Sequence, residues 1–187
     1  CGDREDAELL REASDNVEDL ALINPVWLRV PAAPYAASMI ENRALDIETA
    51  WSAYQLLSQR HSFVVVEGVG GWRVPLNERC CMSDFVVRMG VPVLVVCANK
   101  LGAINHTQLT VDSITHRGVD CCGVVLNEIN EINEPHSSHS FHSYHAPAQI
   151  TNRGVLENLL SVPVLGSVPC GAAELDPTLL NAFEGSL

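Results

Sequence analysis

The chain has 187 residues, of which 47% are hydrophobic and 18% are charged, a composition typical of a folded globular domain. Its formal net charge of -12 argues against nucleic-acid binding, which needs a basic face, and against docking on anionic lipid. The longest apolar runs are too short to span a bilayer. The length predicts one domain over residues 1–187.

In chain order, apolar residues at three- and four-residue spacing and capping residues predict helices at 6–13, 34–42, 46–59, 83–88, 104–117 and 152–160. Asp46 and Ser83 are expected to be N-caps, and Gly90 and Gly118 are expected to end helices. Four solidly apolar runs predict buried strands at 63–66, 92–97, 122–126 and 164–168. This alternation predicts an α/β fold with a three-layer, mainly parallel sheet.

A glycine-rich turn follows the first predicted strand, in the stretch Val66–Trp72 (VEGVGGW). Glu67 falls at the carboxyl end of that strand, where open α/β sheets place ligands. The glycines that follow allow a sharp turn and a close approach of the backbone to a ligand. A carboxylate beside bare N–H groups suits a site for a metal ion and an anion together. The alternative is an ordinary turn in which Glu67 faces water.

The other predicted strands also end in polar or glycine residues, namely Asn99, Asn127 and the Pro169–Gly171 turn. Because the carboxyl ends of parallel strands meet at one edge of a sheet, we expect one ligand-binding edge.

The seven cysteines are odd in number and contain no CxxC pair. This pattern favours small, buried, reduced cysteines in a cytoplasmic protein over zinc ligands. Four histidines recur at three-residue spacing, at positions 136, 139, 142 and 145. A metal site is conceivable there, but a helix would spread these side chains over half its circumference, and their neighbours favour a solvated loop.

Four blocks of the sequence together resemble the dethiobiotin synthetase family. Val66–Trp72 resembles that family's VEGAGG(W) motif, and residues 92–96 with 101–110 resemble its PVxLV and LGxINHxxLT block. Residues 123–127 match GxxxN, and 162–169 resemble the family's last strand. The likeness covers nearly the whole chain and implies a fold of P-loop NTPase type.

The resemblance implies a ligase of biotin biosynthesis that uses ATP and Mg²⁺. In this reaction CO2 joins one amine of 7,8-diaminononanoate as a carbamate, ATP phosphorylates the carbamate, and the second amine closes the cyclic urea. It also implies a cytoplasmic homodimer with small-molecule substrates, and no nucleic-acid or membrane partner.

By position, the resemblance implies Asp6 and Glu67 as ligands of Mg²⁺. The same two carboxylates belong to the implied nucleotide-binding set, with Gly68, Val69, Gly70, Asn127, Glu128, Pro169, Cys170, Gly171 and Asp176. The implied substrate-binding set is Cys1, Gly70, Gly71, Leu101, Gly102 and Asn105, where the segment from Leu101 to Asn105 serves a neighbouring subunit.

The family begins with a P-loop and a second strand, each carrying an active-site lysine, and neither matches any part of the chain. The resemblance therefore implies that about forty family residues, including those catalytic lysines, lie upstream of Cys1. The sheet would then lack its first strands, and the 187 residues alone are expected to be inactive. Two alternatives stay open: a non-catalytic dimerising or regulatory relative without a P-loop, and another member of the wider group of P-loop amide-forming ligases or partitioning ATPases.

Overall fold

A computed structural model of the chain describes residues 4–15, 17–129, 145–172, 174 and 176–184. The chain divides into two compact units, Cys1–Arg88 and Met89–Leu187. The prediction of one domain over all 187 residues stays a prediction. Among the described residues, no helix combines the length and the apolar character needed to cross a membrane.

The first unit is helical. Its helices are α1 (Glu5–Ala13), α2 (Leu20–Ile23), α3 (Pro34–Ile40), α4 (Ile47–Arg60) and α5 (Met82–Met89), the last of which reaches the boundary between the units. Helices α4 and α5 are joined by the edge-on contact of the Trp51 and Phe85 rings and by an ion pair between Glu48 and Arg88. Apolar residues at helical spacing thus form one face of each of these two helices, and the two faces pack against each other.

The N-cap prediction is confirmed for α4 and wrong for α5. The Asp46 carboxylate accepts a hydrogen bond from the backbone N–H of Thr49 at 3.1 Å. Ser83 is instead buried inside α5, and the carboxylate of Asp84 accepts from the backbone N–H of Cys81 at 2.8 Å. A carboxylate in the first turn that reaches back to the preceding N–H satisfies a donor that the helix leaves unpaired.

The strand predicted at residues 63–66 does not form. No strand partner for this segment occurs among the described residues, and the side chains of Phe63 and Val65 are 59% and 74% exposed. An apolar run becomes a buried strand only where neighbouring strands supply the hydrogen-bond ladder and both faces are covered. The described residues supply neither here.

The second unit holds a parallel three-stranded sheet in the order β1 (Val93–Ala98), β2 (Cys121–Asn127) and β3 (Val164–Val168). Its helices are α6 (Ala103–His116), α7 (His145–Leu159) and α8 (Pro177–Glu184). Helix α6 packs on β1 and β2, and both α7 and α8 pack on β3. Three of the four predicted strands and the α/β class with a parallel sheet, as in P-loop NTPases, are therefore confirmed.

The core of the second unit lies between the central strand and its helices. Val124 and Leu126 of β2 are fully buried, together with Ile114 of α6 and Leu156 of α7. Burial of β2 on both faces explains why its sequence is continuously apolar and does not alternate. Gly118 ends the α6 region with a φ of +67°, as its predicted place after the helix requires.

Helix α7 begins seven residues before the predicted start at Asn152. Its first turn contains Pro147, which is tolerated there because the first N–H groups of a helix have no partner within it. Asn152 is consequently not an N-cap but lies in mid-helix. Of the four spaced histidines, His145 is the first residue of α7, and positions 136, 139 and 142 lie outside the described residues.

Candidate functional site

Backbone hydrogen bonds keep the carboxyl ends of the three strands in register at one edge of the sheet. Asn127, the last residue of β2, pairs with Ala98 of β1 and with Val168 of β3. Just beyond the strands, the N–H of Asn99 donates to the carbonyl of Asn127 at 2.8 Å, and the N–H of Glu128 donates to the carbonyl of Val168 at 2.9 Å. Three of the four strand exits expected to share one edge therefore do so.

Behind this edge lies a closed network of buried amides. The side-chain nitrogen of Asn99 donates to Oε1 of Glu128 at 2.7 Å and to the backbone carbonyl of Gln149 at 3.1 Å. The side-chain nitrogen of Asn152 donates to Oδ1 of Asn99 at 2.8 Å and to the backbone carbonyl of Lys100 at 3.0 Å. Both asparagines are 2% exposed. The network fixes the carboxylate of Glu128 relative to β1, β2 and α7.

The local sequence pattern does not single out the side chains of Asn99 and Asn152. The sequence indicates Asn99 only as a polar residue at a strand end, and it predicts a helix start at Asn152. The available signal was an asparagine within a helix whose other buried positions are apolar. Since a buried amide needs a partner, such a residue in mid-helix indicates a buried hydrogen bond.

Asn127 differs from the buried Asn99 and Asn152. Its side chain is half-buried, and it takes part in no hydrogen bond within the described part of the chain. An amide side chain offers both donors and an acceptor, which can match the edge of a nucleotide base. The geometry therefore leaves the side chain of Asn127, a member of the implied nucleotide-binding set, available at this edge.

The turn after β3 lies at the same edge. Gly171 has a φ of +70°, and the N–H of Ala172 donates to the carbonyl of Pro169 at 3.2 Å, so the backbone turns sharply around the exposed Cys170. Asp176 precedes α8, and its carboxylate accepts from the N–H of Thr178 at 2.7 Å. Hydrogen bonds from Thr178 lower the pKa of Asp176, which keeps it ionised at the start of α8.

The segment from Leu101 to Asn105 forms the turn into α6. Gly102 is the N-cap with a φ of +94°, a conformation that a side chain would strain. Leu101 is 65% exposed and Asn105 is also exposed. The start of a 14-residue helix attracts a carboxylate, because its first N–H groups and its dipole both favour negative charge.

In the first unit, the glycine-rich turn is open on one side and anchored on the other. Residues 67–71 are all exposed, and Gly70 has a φ of +72°. The exit of the turn is tied to the start of α5, since the N–H of Ser83 donates to the carbonyl of Trp72 at 3.0 Å and that of Met82 to Val74 at 2.9 Å. The backbone of the turn is thus exposed to solvent, while the residues that follow it are anchored to α5.

The two carboxylates predicted to hold Mg²⁺ are both accessible. Asp6 lies in the first turn of α1 and Glu67 lies in an extended segment, and each is exposed. Over the described ranges, no three His, Cys, Asp or Glu side chains gather into a metal-binding group. Mg²⁺ commonly takes one or two protein carboxylates and completes its shell with phosphates and water, so this donor set fits that ion. The predicted substrate contact at Cys1 lies outside the described residues.

Comparison with known proteins shows the family of the chain. Residues 2–175 match the family described as an AAA domain. The ATP-dependent dethiobiotin synthetase of Akkermansia muciniphila is 41% identical over 180 residues, which cover 96% of this chain and 79% of that relative. The synthetase of Anaeromyxobacter dehalogenans is 46% identical over 126 residues, and that of Methanocaldococcus jannaschii is 38% identical over 130.

The chain spans 56% and 61%, respectively, of the length of the Anaeromyxobacter and Methanocaldococcus relatives. The Akkermansia match is nevertheless long on both sides, and it includes the glycine-rich turn, the segment leading into α6 and all three strands. The chain belongs to the family of ATP-dependent dethiobiotin synthetases.

Proposed function

We propose that the protein is a ligase that forms dethiobiotin from 7,8-diaminononanoate, CO2 and ATP. The observation that carries the proposal is the family match, joined to a sheet edge at which Asn127, Glu128 and the Pro169–Gly171 turn meet. One amine of the substrate attacks CO2 to give a carbamate. A carbamate oxygen then attacks the γ-phosphorus of ATP and ADP leaves. The second amine attacks the resulting mixed anhydride, and phosphate departs as the ring closes.

The sheet edge of the second unit is assigned to the nucleotide. In this assignment the side-chain amide of Asn127 reads the edge of the base, and the turn at Pro169–Gly171 lies beside it. This role is supported by the alignment of the β2 and β3 ends and by the Asn127 side-chain amide, which takes part in no hydrogen bond within the described residues. Asp176 contributes negative charge near α8 and is assigned to the same subsite.

The glycine-rich turn of the first unit is assigned to the reacting phosphate and carbamate. Backbone N–H groups of Gly68–Gly71 stabilise charge that develops on these oxygens. Asp6 and Glu67 would hold Mg²⁺, which when bound supplies positive charge that offsets the charge of the phosphates. Exposure of both carboxylates and of the turn supports these roles.

The turn into α6 is assigned to the carboxylate tail of diaminononanoate, in a homodimer where a second copy completes the site. Leu101 is 65% exposed and Leu109 is 60% exposed, which suits burial against a partner subunit. Cys81, Cys97, Cys121, Cys122 and Cys170 are reduced thiols, which fits the cytoplasm as the compartment.

The test is dethiobiotin formation by the full gene product, measured by mass spectrometry. We expect product only when diaminononanoate, bicarbonate, ATP and Mg²⁺ are all present, with one ADP released per dethiobiotin. Folded protein that makes none in the full mixture would overturn the proposal and return the non-catalytic alternative. Family membership favours the enzyme over that alternative.

Two variants test the assigned residues. Glu67→Gln should raise the Mg²⁺ concentration needed for half-maximal rate, and Asn127→Ala should raise the KM for ATP, each by about tenfold or more. Glu157→Gln is the matched control, because its exposed carboxylate is paired with Arg153 on α7 and lies outside every assigned subsite. Wild-type kinetics in either test variant would remove that residue from the site.

A further inference from the structure

The buried pair Asn99 and Asn152 connects two places to which the proposed function assigns different ligands. On one side, Asn99 donates to the carboxylate of Glu128, next to the base-reading Asn127. On the other side, Asn152 donates to the carbonyl of Lys100, the residue before the Leu101–Asn105 segment. The two amides are joined directly at 2.8 Å.

Both side-chain nitrogens of this pair and the side-chain oxygen of Asn99 are used within the network. Both donors of Asn99 are engaged, by Glu128 and by the carbonyl of Gln149, and its oxygen accepts from Asn152. Hydrogen bonds within a buried polar network hold its members in place, and loss of one member leaves the others unpaired at a high cost. The pair is therefore costly to disturb and holds its surroundings in one arrangement.

The positions of the five residues in this network explain what that arrangement serves. Asn99 and Lys100 follow β1, Glu128 follows β2, and Gln149 and Asn152 lie on α7, so three separate elements meet at one pair of amides. A half-buried strand exit and an exposed helix start would otherwise move independently. A subsite loses affinity for its ligand when the contacts that support it loosen.

We propose that Asn99 and Asn152 are positioning residues that fix the nucleotide-base subsite and the substrate-tail segment relative to each other. The inference rests on the proposed function for the identity of the two ligands. Neither residue needs to touch a ligand. Asn99 acts through Glu128 on the base subsite, and Asn152 acts through the Lys100 carbonyl on the segment that receives the substrate carboxylate.

Two substitutions separate the effect on the nucleotide-base subsite from the effect on the substrate-tail segment. Asn99→Asp keeps an oxygen for Asn152 but places a carboxylate against Glu128, so the KM for ATP should rise about tenfold and the preference for ATP over GTP should fall. Asn152→Leu keeps a similar volume but removes both donors, so the KM for diaminononanoate should rise by about the same factor. In both variants kcat should change less than KM, because the reacting groups are elsewhere.

Thr107→Val is the matched control, since Thr107 is equally buried and its hydroxyl donates to Sγ of Cys97 between α6 and β1. It should lower the melting temperature without changing base preference or the ratio of the two KM values. If all three variants shift both KM values only in proportion to their loss of stability, the pair is merely structural and the inference is overturned.

Nucleotide binding measured by calorimetry separates this inference from the proposed function. Wild-type protein that binds ATP but makes no dethiobiotin would overturn the proposed function alone, and loss of ATP-over-GTP preference in Asn99→Asp would still support the inference. Conversely, an active wild type whose Asn99→Asp variant keeps that preference would overturn the inference alone.

Discussion

Gly123 of β2 leaves the space that the side chain of Leu165 on β3 fills. A Cβ atom at position 123 would lie 2.8 Å from Cγ of Leu165 and 3.0 Å from the carbonyl oxygen of Pro163. The backbone at Gly123 also has a φ of +154°, which residues other than glycine rarely adopt. The glycine that opens the GxxxN block is thus required by the close approach of β2 and β3, before any ligand is considered.

We predict that Gly123→Ala destabilises the protein by about 1–3 kcal/mol, because one methyl group overpacks a closed site and strains the backbone. Urea unfolding followed by circular dichroism measures the change. Gly154→Ala is the control, since nothing lies within 4 Å of a Cβ there and alanine is favoured within α7 by about 0.5–1 kcal/mol. Equal stability of Gly123→Ala and wild type would show that Leu165 can move aside.

We predict that Gly70→Ala disturbs the glycine-rich turn. Its φ is +72°, and a Cβ atom would lie 3.2 Å from Cγ2 of Val74, so both backbone strain and a tight contact oppose the change. The expected result is a loss of dethiobiotin formation of about tenfold or more with a small fall in melting temperature. Gly71→Ala is the matched variant for stability, because nothing lies within 4 Å of its Cβ, and its melting temperature should stay at the wild-type value. A fully active Gly70→Ala enzyme would contradict the prediction.

The helix cap of α4 gives a pH dependence of known sign. Hydrogen bonds from the side chain and backbone of Thr49 lower the pKa of Asp46 below its ordinary value of 3.8. A carboxyl group whose pKa is lowered by folding stabilises the folded state above its unfolded pKa, and this contribution is lost as the pH falls through the folded pKa. The contribution is therefore complete at neutral pH and declines below about pH 3.8.

The measurement compares melting temperatures of wild type, Asp46→Ala and Asp46→Asn between pH 7 and pH 3. At pH 7 the alanine variant should melt a few degrees below wild type, because one helix cap is lost. That gap should narrow at acid pH, whereas the gap between the asparagine and alanine variants should stay constant, since an amide cap does not titrate. A wild-type advantage that is unchanged at pH 3 would contradict the assignment.

The cysteines are predicted to react at very different rates. Burial raises the pKa of the Cys121 and Cys122 thiols. The Cys122 thiol also donates a hydrogen bond to the carbonyl of Val93 at 3.3 Å. A raised pKa lowers the thiolate fraction, and the thiolate is the reactive form. Cys170 is exposed in the turn after β3 and should be alkylated at least about tenfold faster than Cys122 at pH 8. Peptide mapping of a timed iodoacetamide reaction measures the rates.

Denaturation in guanidinium is the control for that reaction, because it should make the three rates nearly equal. If Cys122 reacts as fast as Cys170 in the folded protein, the second unit opens readily and β2 is less protected than its burial implies.

Local sequence determined much of the second unit. The apolar runs of β1, β2 and β3 had the length and composition of buried strands, and their polar ends placed Asn99 and Asn127 at one edge. The Asp46 cap and the glycine after α6 were predicted because each depends on backbone groups only a few residues away. The blocks around the glycine-rich turn and the start of α6 identified the family for the same reason, since each is a short run of neighbouring residues.

The tertiary structure decided what depends on residues far apart in the chain. The hydrogen bond between Asn99 and Asn152 joins positions separated by 53 residues, and no local pattern predicts which buried amide will face another. Residues 63–66 have the sequence of a strand, but a strand forms only where neighbours complete its ladder and cover its faces. Side-chain periodicity fixes what a segment can become, and the packing of distant segments decides whether it does.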